Sequence, residues 1–167
     1  MVTTLLDARA VAETVTDPEL PMLTLADLGV LREVSEVDGC VVVTITPTYT
    51  GCPAMDTMRD DLVYALNAAG YHDVEVRTVL HPVWSTDWIS DAGLRKLAES
   101  GIAPPGEAPR RPAGPVPLTL GAPVQQVRCP QCDSRDTEEL SRFSATACKA
   151  LRRCRVCLEP FEHVKEI

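Results

Sequence analysis

Two cysteine pairs of identical spacing, Cys129-Pro130-Gln131-Cys132 and Cys154-Arg155-Val156-Cys157, stand near the C-terminal end of the chain. A C-x-x-C run can close into a knuckle that points both thiolates at one ion, so the two pairs together supply a complete tetrahedral S₄ shell. The 21 residues between the pairs slightly exceed the usual zinc-ribbon gap of about 15–20 and leave room for a hairpin. A closed structural Zn²⁺ site is the first expectation. A redox iron site is the second, because tetrahedral thiolates hold iron as well. Cys148, a fifth thiol between the pairs, is either a small buried residue or an accessory ligand.

A lone cysteine, Cys52, lies in Pro47-Thr48-Tyr49-Thr50-Gly51-Cys52-Pro53. Proline suits the first position of a helix, which predicts a helix opening at Pro53 with Cys52 at its N-cap. The helix dipole there would lower the thiol's pKa. Thr48 and Thr50 could donate hydrogen bonds to the sulfur or to a bound cluster. Such a thiolate ligates a soft metal or acts as a nucleophile; the plain alternative is an inert plug in the loop. No histidine and aspartate fall at a spacing that makes a triad legible. Cys40, at a strand start, is expected in the core.

Two further runs stand out. Asp17-Pro18-Glu19-Leu20-Pro21 is rigid and acidic without metal-ligand spacing, and reads as a loop packed on the sheet or as a docking surface. The run from His81 to Trp88 places Trp84 and Trp88 at a strand–helix junction, as core or as anchors for a partner.

The elements that must position these residues follow from pattern. Leu5–Val15 reads as an amphipathic helix ended by Asp17-Pro18. Residues 30–37 and 40–46 read as strands joined at Asp38-Gly39, a hairpin-turn dipeptide. From Pro53, apolar residues Met55, Met58, Leu62, Ala65, Leu66 and Ala69 recur at helical spacing up to Gly70. A strand follows over Asp73–Leu80 and a helix over Thr86–Ser100. The order is helix, strand, strand, helix, strand, helix: an α+β chain whose small α/β layer precedes a ribbon-like β module. Seven of the chain's fourteen prolines fall in residues 101–123, a composition that neither coils nor pairs. The expected organisation is an α/β domain over 1–101, a Pro-rich linker over 102–124, and a four-cysteine ribbon over 125–167.

Composition bounds the function classes. The chain has 167 residues, 45% hydrophobic and 24% charged, ordinary values for a globular protein. Nothing reads as a signal peptide or approaches membrane-spanning length, and seven cysteines in that context point to a reducing cytoplasm. Net charge is −8, unevenly spread: 16 acidic against 6 basic residues in 1–100, and 8 against 10 in 101–167. This counts against nucleic acid as a partner of the first hundred residues. In the tail, Lys149, Arg152, Arg153 and Arg155 could contact nucleic acid or merely balance the formal −2 of four thiolates on a divalent ion.

DPELP, LADLGVLREV and PTYTGCP together resemble the small iron–sulfur assembly and carrier domain of SUF-linked and cytosolic cluster-targeting factors. With PVWSTDWIS, LRKLAESGIAPP and the cysteine-rich tail added, the chain resembles the PaaD family from about Thr16 to Phe161. That family belongs to the ring-1,2-phenylacetyl-CoA epoxidase system of phenylacetate degradation. The resemblance implies a non-catalytic accessory role: helping iron or an Fe–S cluster into the diiron oxygenase subunit or the [2Fe–2S] reductase subunit. It maps the family's reactive cysteine onto Cys52 and its acidic positions onto Asp17 and Glu19. One thiol cannot complete a cluster, so a homodimer could share it. Alternative readings are a structural component of the epoxidase that docks through Trp84, Trp88 and the ribbon, an electron carrier with an iron-loaded ribbon, and a DNA-binding ribbon.

Overall fold

The computed structural model describes residues 7–108 and 126–167. Leu5 and Leu6 of the expected first helix, residues 109–124 of the expected linker, and Gln125 lie outside them. The chain divides into two compact units, Met1–Lys96 and Leu97–Ile167.

In the first unit, α1 (Ala8–Ala12) opens on Asp7, whose carboxylate accepts the Arg9 N–H, the usual N-cap arrangement. β1 (Leu31–Val37) and β2 (Cys40–Ile45) pair antiparallel. Their turn places Asp38 at φ 52° and Gly39 at φ 83°, the left-handed pair that matches strand twist in a two-residue hairpin. α2 (Met55–Ala68) then crosses over to β3 (Val74–Thr78), which lies parallel to β2 with Val43 opposite Val76. The sheet order is β1-β2-β3, so β2 is central. Val41, Val43 and Ile45 on one of its faces are fully buried, as are Leu62 and Leu66 of α2. The other face is not half-polar as its threonines imply: Val42 and Thr46 are buried too.

The helix expected over Thr86–Ser100 is two pieces, a 3-10 turn at Thr86–Trp88 and α3 (Asp91–Glu99). Between them Ser90 N–H bonds the Asp27 carbonyl, and Asp27's carboxylate takes Ser90 Oγ and Lys96 Nζ. Gly29 is obligatory here. It sits at φ 68°, and a Cβ would lie 2.6 Å from Trp88 Cβ and 2.7 Å from the Trp88 carbonyl oxygen, too close for any side chain.

The second unit is a three-stranded antiparallel sheet in the order β4 (Thr137–Ser141), β5 (Lys149–Cys154), β6 (Pro160–Val164). Ala103 adds a parallel bridge to His163, with its N–H on the Glu162 carbonyl and its carbonyl taking the Val164 N–H. Residues at the start of the segment expected to be a spacer are therefore ribbon structure, because Ile102 and Ala103 bury apolar surface that the small sheet needs. The ribbon's apolar core is Ala103, Val127, Cys129, Cys154 and Phe161.

Candidate metal centre and buried thiol

Hairpin geometry brings the two knuckles together. β5 ends at Cys154, which pairs in register with Thr137, and the β5–β6 turn carries Cys157. The Sγ atoms of Cys129, Cys132, Cys154 and Cys157 all lie within 4.8 Å of one another. Cys129 and Cys157 are 3.7 Å apart, Cys132 and Cys154 3.5 Å. Sulfurs about 2.3 Å from a central zinc in a tetrahedron lie about 3.8 Å apart, so the donor set fits one ion. The first cysteine of each knuckle is buried and the second exposed. Backbone amides stabilise the sulfurs: Gln131 N–H reaches Cys129 Sγ at 3.4 Å, and Val156 and Cys157 N–H reach Cys154 Sγ at 3.4 and 3.5 Å.

These amides, the Cys157 N–H foremost, draw Cys154 down to about 6. The Glu159 N–H draws Cys157 down as well, but burial and the neighbouring sulfurs outweigh it and push that thiol up to about 12. Four adjacent thiols cannot all ionise without a cation, so metal binding and deprotonation are one event. Cys148 lies outside this group. It is half-buried, 3.1 Å from Thr146 Oγ1.

Cys52 departs from expectation. α2 opens at Met55 with Ala54 at its cap, and a turn precedes it in which the Cys52 carbonyl accepts the Met55 N–H. The cysteine is therefore not the N-cap, and its side chain is 9% exposed. Its pKa is raised, not lowered. Burial is the largest cause, the Ala54 N–H opposes it, the carboxylates of Glu19 and Asp17 raise it further, and Tyr49 lowers it by hydrogen bonding. The donors that reach the sulfur are thus Ala54 and Tyr49. Of the threonines expected in that role, Thr48 is half-buried and Thr50 exposed.

The acidic loop is the neighbour that spacing could not reveal. Asp17 is 5% exposed, and its Oδ1 accepts the N–H groups of Glu19 at 2.8 Å and Leu20 at 2.7 Å. This turn folds the loop so that both acidic residues act on Cys52. Asp17→Ala strips both donors of their acceptor and is expected to cost about 2 kcal/mol in urea unfolding. Asp17→Asn, which keeps an Oδ1, should recover most of it. A raised pKa also predicts that Cys52 alkylates more slowly than a free thiol between neutral pH and the ordinary value of 9.0, because only the thiolate attacks. Glu19→Gln removes a like charge and should speed that alkylation a few-fold, read by peptide mapping at fixed pH.

Trp84 cannot anchor a partner from the surface: it is 3% exposed, with Nε1 donating to the Leu28 carbonyl at 2.9 Å. Trp88 is half-buried with the Arg32 guanidinium 3.7 Å from its ring centroid. The basic tail cluster is neutralised by carboxylates rather than by the thiolates. Lys149 pairs with Glu162, Arg152 with Glu139, Arg153 with Glu138, and Arg155 with Glu138 and Asp136. Cross-strand register places these partners, leaving no free basic stripe for a phosphate backbone among these four residues.

Comparison with known proteins bears on both sites. Residues 113–165 match the PaaD zinc beta ribbon domain, and residues 7–78 match the iron–sulfur cluster assembly protein family. The D component of the 1,2-phenylacetyl-CoA epoxidase of Escherichia coli K12 is 39% identical over 93% of this chain and 89% of its own length. An Fe-S protein maturation auxiliary factor of Porphyromonas gingivalis is 34% identical over 50% of this chain and 81% of its own. The crystal structure of a domain of unknown function, DUF59, from Bacillus anthracis superposes with a TM-score of 0.50 at 30% identity, covering 54% of this chain and 87% of that one. No helix among the described residues is long and apolar enough to cross a membrane.

Proposed function

Because the chain belongs to the PaaD family of 1,2-phenylacetyl-CoA epoxidase components, we propose that it is a non-catalytic accessory factor that passes iron or an iron–sulfur cluster to a subunit of that epoxidase through Cys52. The observation that carries this reading is the juxtaposition of one sheltered thiol with the Asp17 and Glu19 carboxylates, inside the segment that matches the iron–sulfur assembly family. A hydrolytic or transfer enzyme would hold its thiol ionised beside a base. Here two anions and burial keep it neutral.

The same electrostatics favour a cationic cargo. An iron ion arriving at the sulfur displaces the thiol proton, and the carboxylates that disfavoured a bare thiolate then attract the metal–thiolate pair. One thiol holds such a cargo incompletely. The remaining coordination positions stay open to the recipient or to a second copy, which suits transfer better than storage.

The ribbon fits zinc, with Cys129, Cys132, Cys154 and Cys157 as its holders, and zinc there would close a structural site rather than supply chemistry. The proposed recipients are the diiron oxygenase subunit and the [2Fe–2S] reductase subunit, and the proposed compartment is the reducing cytoplasm, in which seven thiols persist. The test is anaerobic purification with iron, zinc and sulfide quantification, followed by mixing with each apo-subunit. Visible absorption growing on a recipient supports the reading. Iron confined to the ribbon cysteines would favour an electron carrier instead.

A further inference from the structure

The two knuckles provide an internal control. In each, the residue after the second cysteine takes the left-handed conformation: Asp133 at φ 58° and Leu158 at φ 65°. Aspartate tolerates that region; a bulky apolar side chain is a genuine outlier in it. The residue before the second cysteine is Gln131 in the first knuckle and Val156 in the second, both exposed. One knuckle thus meets the geometric demand with polar, conformationally suitable residues. The other meets it with Val156 at 65% and Leu158 at 68% exposure. Neither folding nor solubility selects an exposed leucine at a left-handed position, and the first knuckle shows that the metal shell does not require it.

Strain and exposure at one point of a structure direct attention to function. The surroundings say what would cover the pair. Arg155, the adjacent cation, is held by Glu138 and Asp136, while Glu159 on the other flank is exposed. Cys157, between the two apolar residues, is exposed, and four thiolates on one divalent ion carry a formal −2. The tip is an apolar point in a negative field.

We propose that Val156 and Leu158 form a docking tip that inserts into an apolar pocket rimmed by basic groups on a subunit of the epoxidase. This deepens the reading of the protein as an accessory factor and rests on it. The ribbon would hold the recipient, and the site at Cys52 would hold the cargo.

The test measures binding of the full-length, zinc-loaded protein to the purified oxygenase and reductase subunits by calorimetry at two salt concentrations. Val156→Gln with Leu158→Asn makes the second knuckle resemble the first. Leu158→Gly alone removes the side chain from a conformation glycine adopts freely, so it serves as the variant that cannot fail by strain. Zinc content and chelator resistance should be equal to or above wild type in both. Binding to one subunit should weaken about tenfold or more in the double variant, from the apolar area no longer buried, and should fall with salt.

Unchanged affinity of both variants would overturn the docking tip while leaving the accessory role standing. A wild type that binds neither subunit would overturn both. Self-association of the wild type that the variants abolish would assign the tip to a second copy and overturn the epoxidase pocket. Salt-insensitive binding would remove the basic rim.

Discussion

Cys154→Ser will empty the metal site and unfold the ribbon while leaving the β1–β3 unit folded. The ribbon core consists of Ala103, Val127, Cys129, Cys154 and Phe161, so two of its five residues are themselves proposed ligands. A core this small cannot offset the conformational entropy of the strands around it. Structural zinc in comparable modules contributes on the order of 10–16 kcal/mol of apparent binding free energy at neutral pH, and that term has to carry the fold. Cys154 is the most consequential of the four. It is fully buried, it ends β5, and it accepts two backbone N–H groups. Hydrogen exchange should show amides of β4, β5 and β6 losing protection while those of β2 and β3 keep theirs, with zinc content falling to background. Prolonged chelation of the wild type should reproduce the pattern. Retained protection across β4–β6 in a zinc-free variant would show that the ribbon's packing suffices without metal.

The second large effect is expected at Cys52→Ser. The fold should survive, because serine is nearly isosteric and the Ala54 N–H and Tyr49 hydroxyl that reach the sulfur can reach an oxygen. Thermal unfolding should shift little and zinc content not at all. Iron delivery should fall more than about tenfold, since a hydroxyl ionises far less readily than a thiol and is a hard ligand for a soft-metal task. The readout is the recipient's iron content after co-expression. A fully loaded recipient from the serine variant would sink the role assigned to Cys52. A misfolded variant would show instead that the residue is a core plug.

Much of the fold is legible because its signals are local. The Asp38-Gly39 turn, the helical recurrence of Met58, Leu62 and Leu66, and the paired C-x-x-C knuckles each depend on neighbours a few residues away. The metal centre is legible for the same reason, reinforced by chemistry: four thiols at that spacing have few other uses. Local signals also mislead where tertiary contacts compete. Proline at 53 suits a helix start, yet the chain makes a turn first and α2 opens at Met55, which takes Cys52 off the cap. Trp84 looks like a surface anchor in one dimension; the Leu28 carbonyl and the surrounding core claim it.

Around Cys52 the difference matters most. The sequence by itself determined that a lone thiol sits between a glycine and a proline ahead of a helix, and that a rigid acidic loop exists far upstream. Only the tertiary structure decided that Asp17 and Glu19 act on that thiol, and thereby reversed the sign of its pKa shift. The same holds for the tail, where Arg152, Arg153 and Arg155 look like a basic patch until strand register sets Glu138 and Glu139 against them. Bond geometry and side-chain type act over a few residues and can be read in order along the chain. Electrostatic fields and burial depend on distance in space, and that distance is set only when the whole chain has folded.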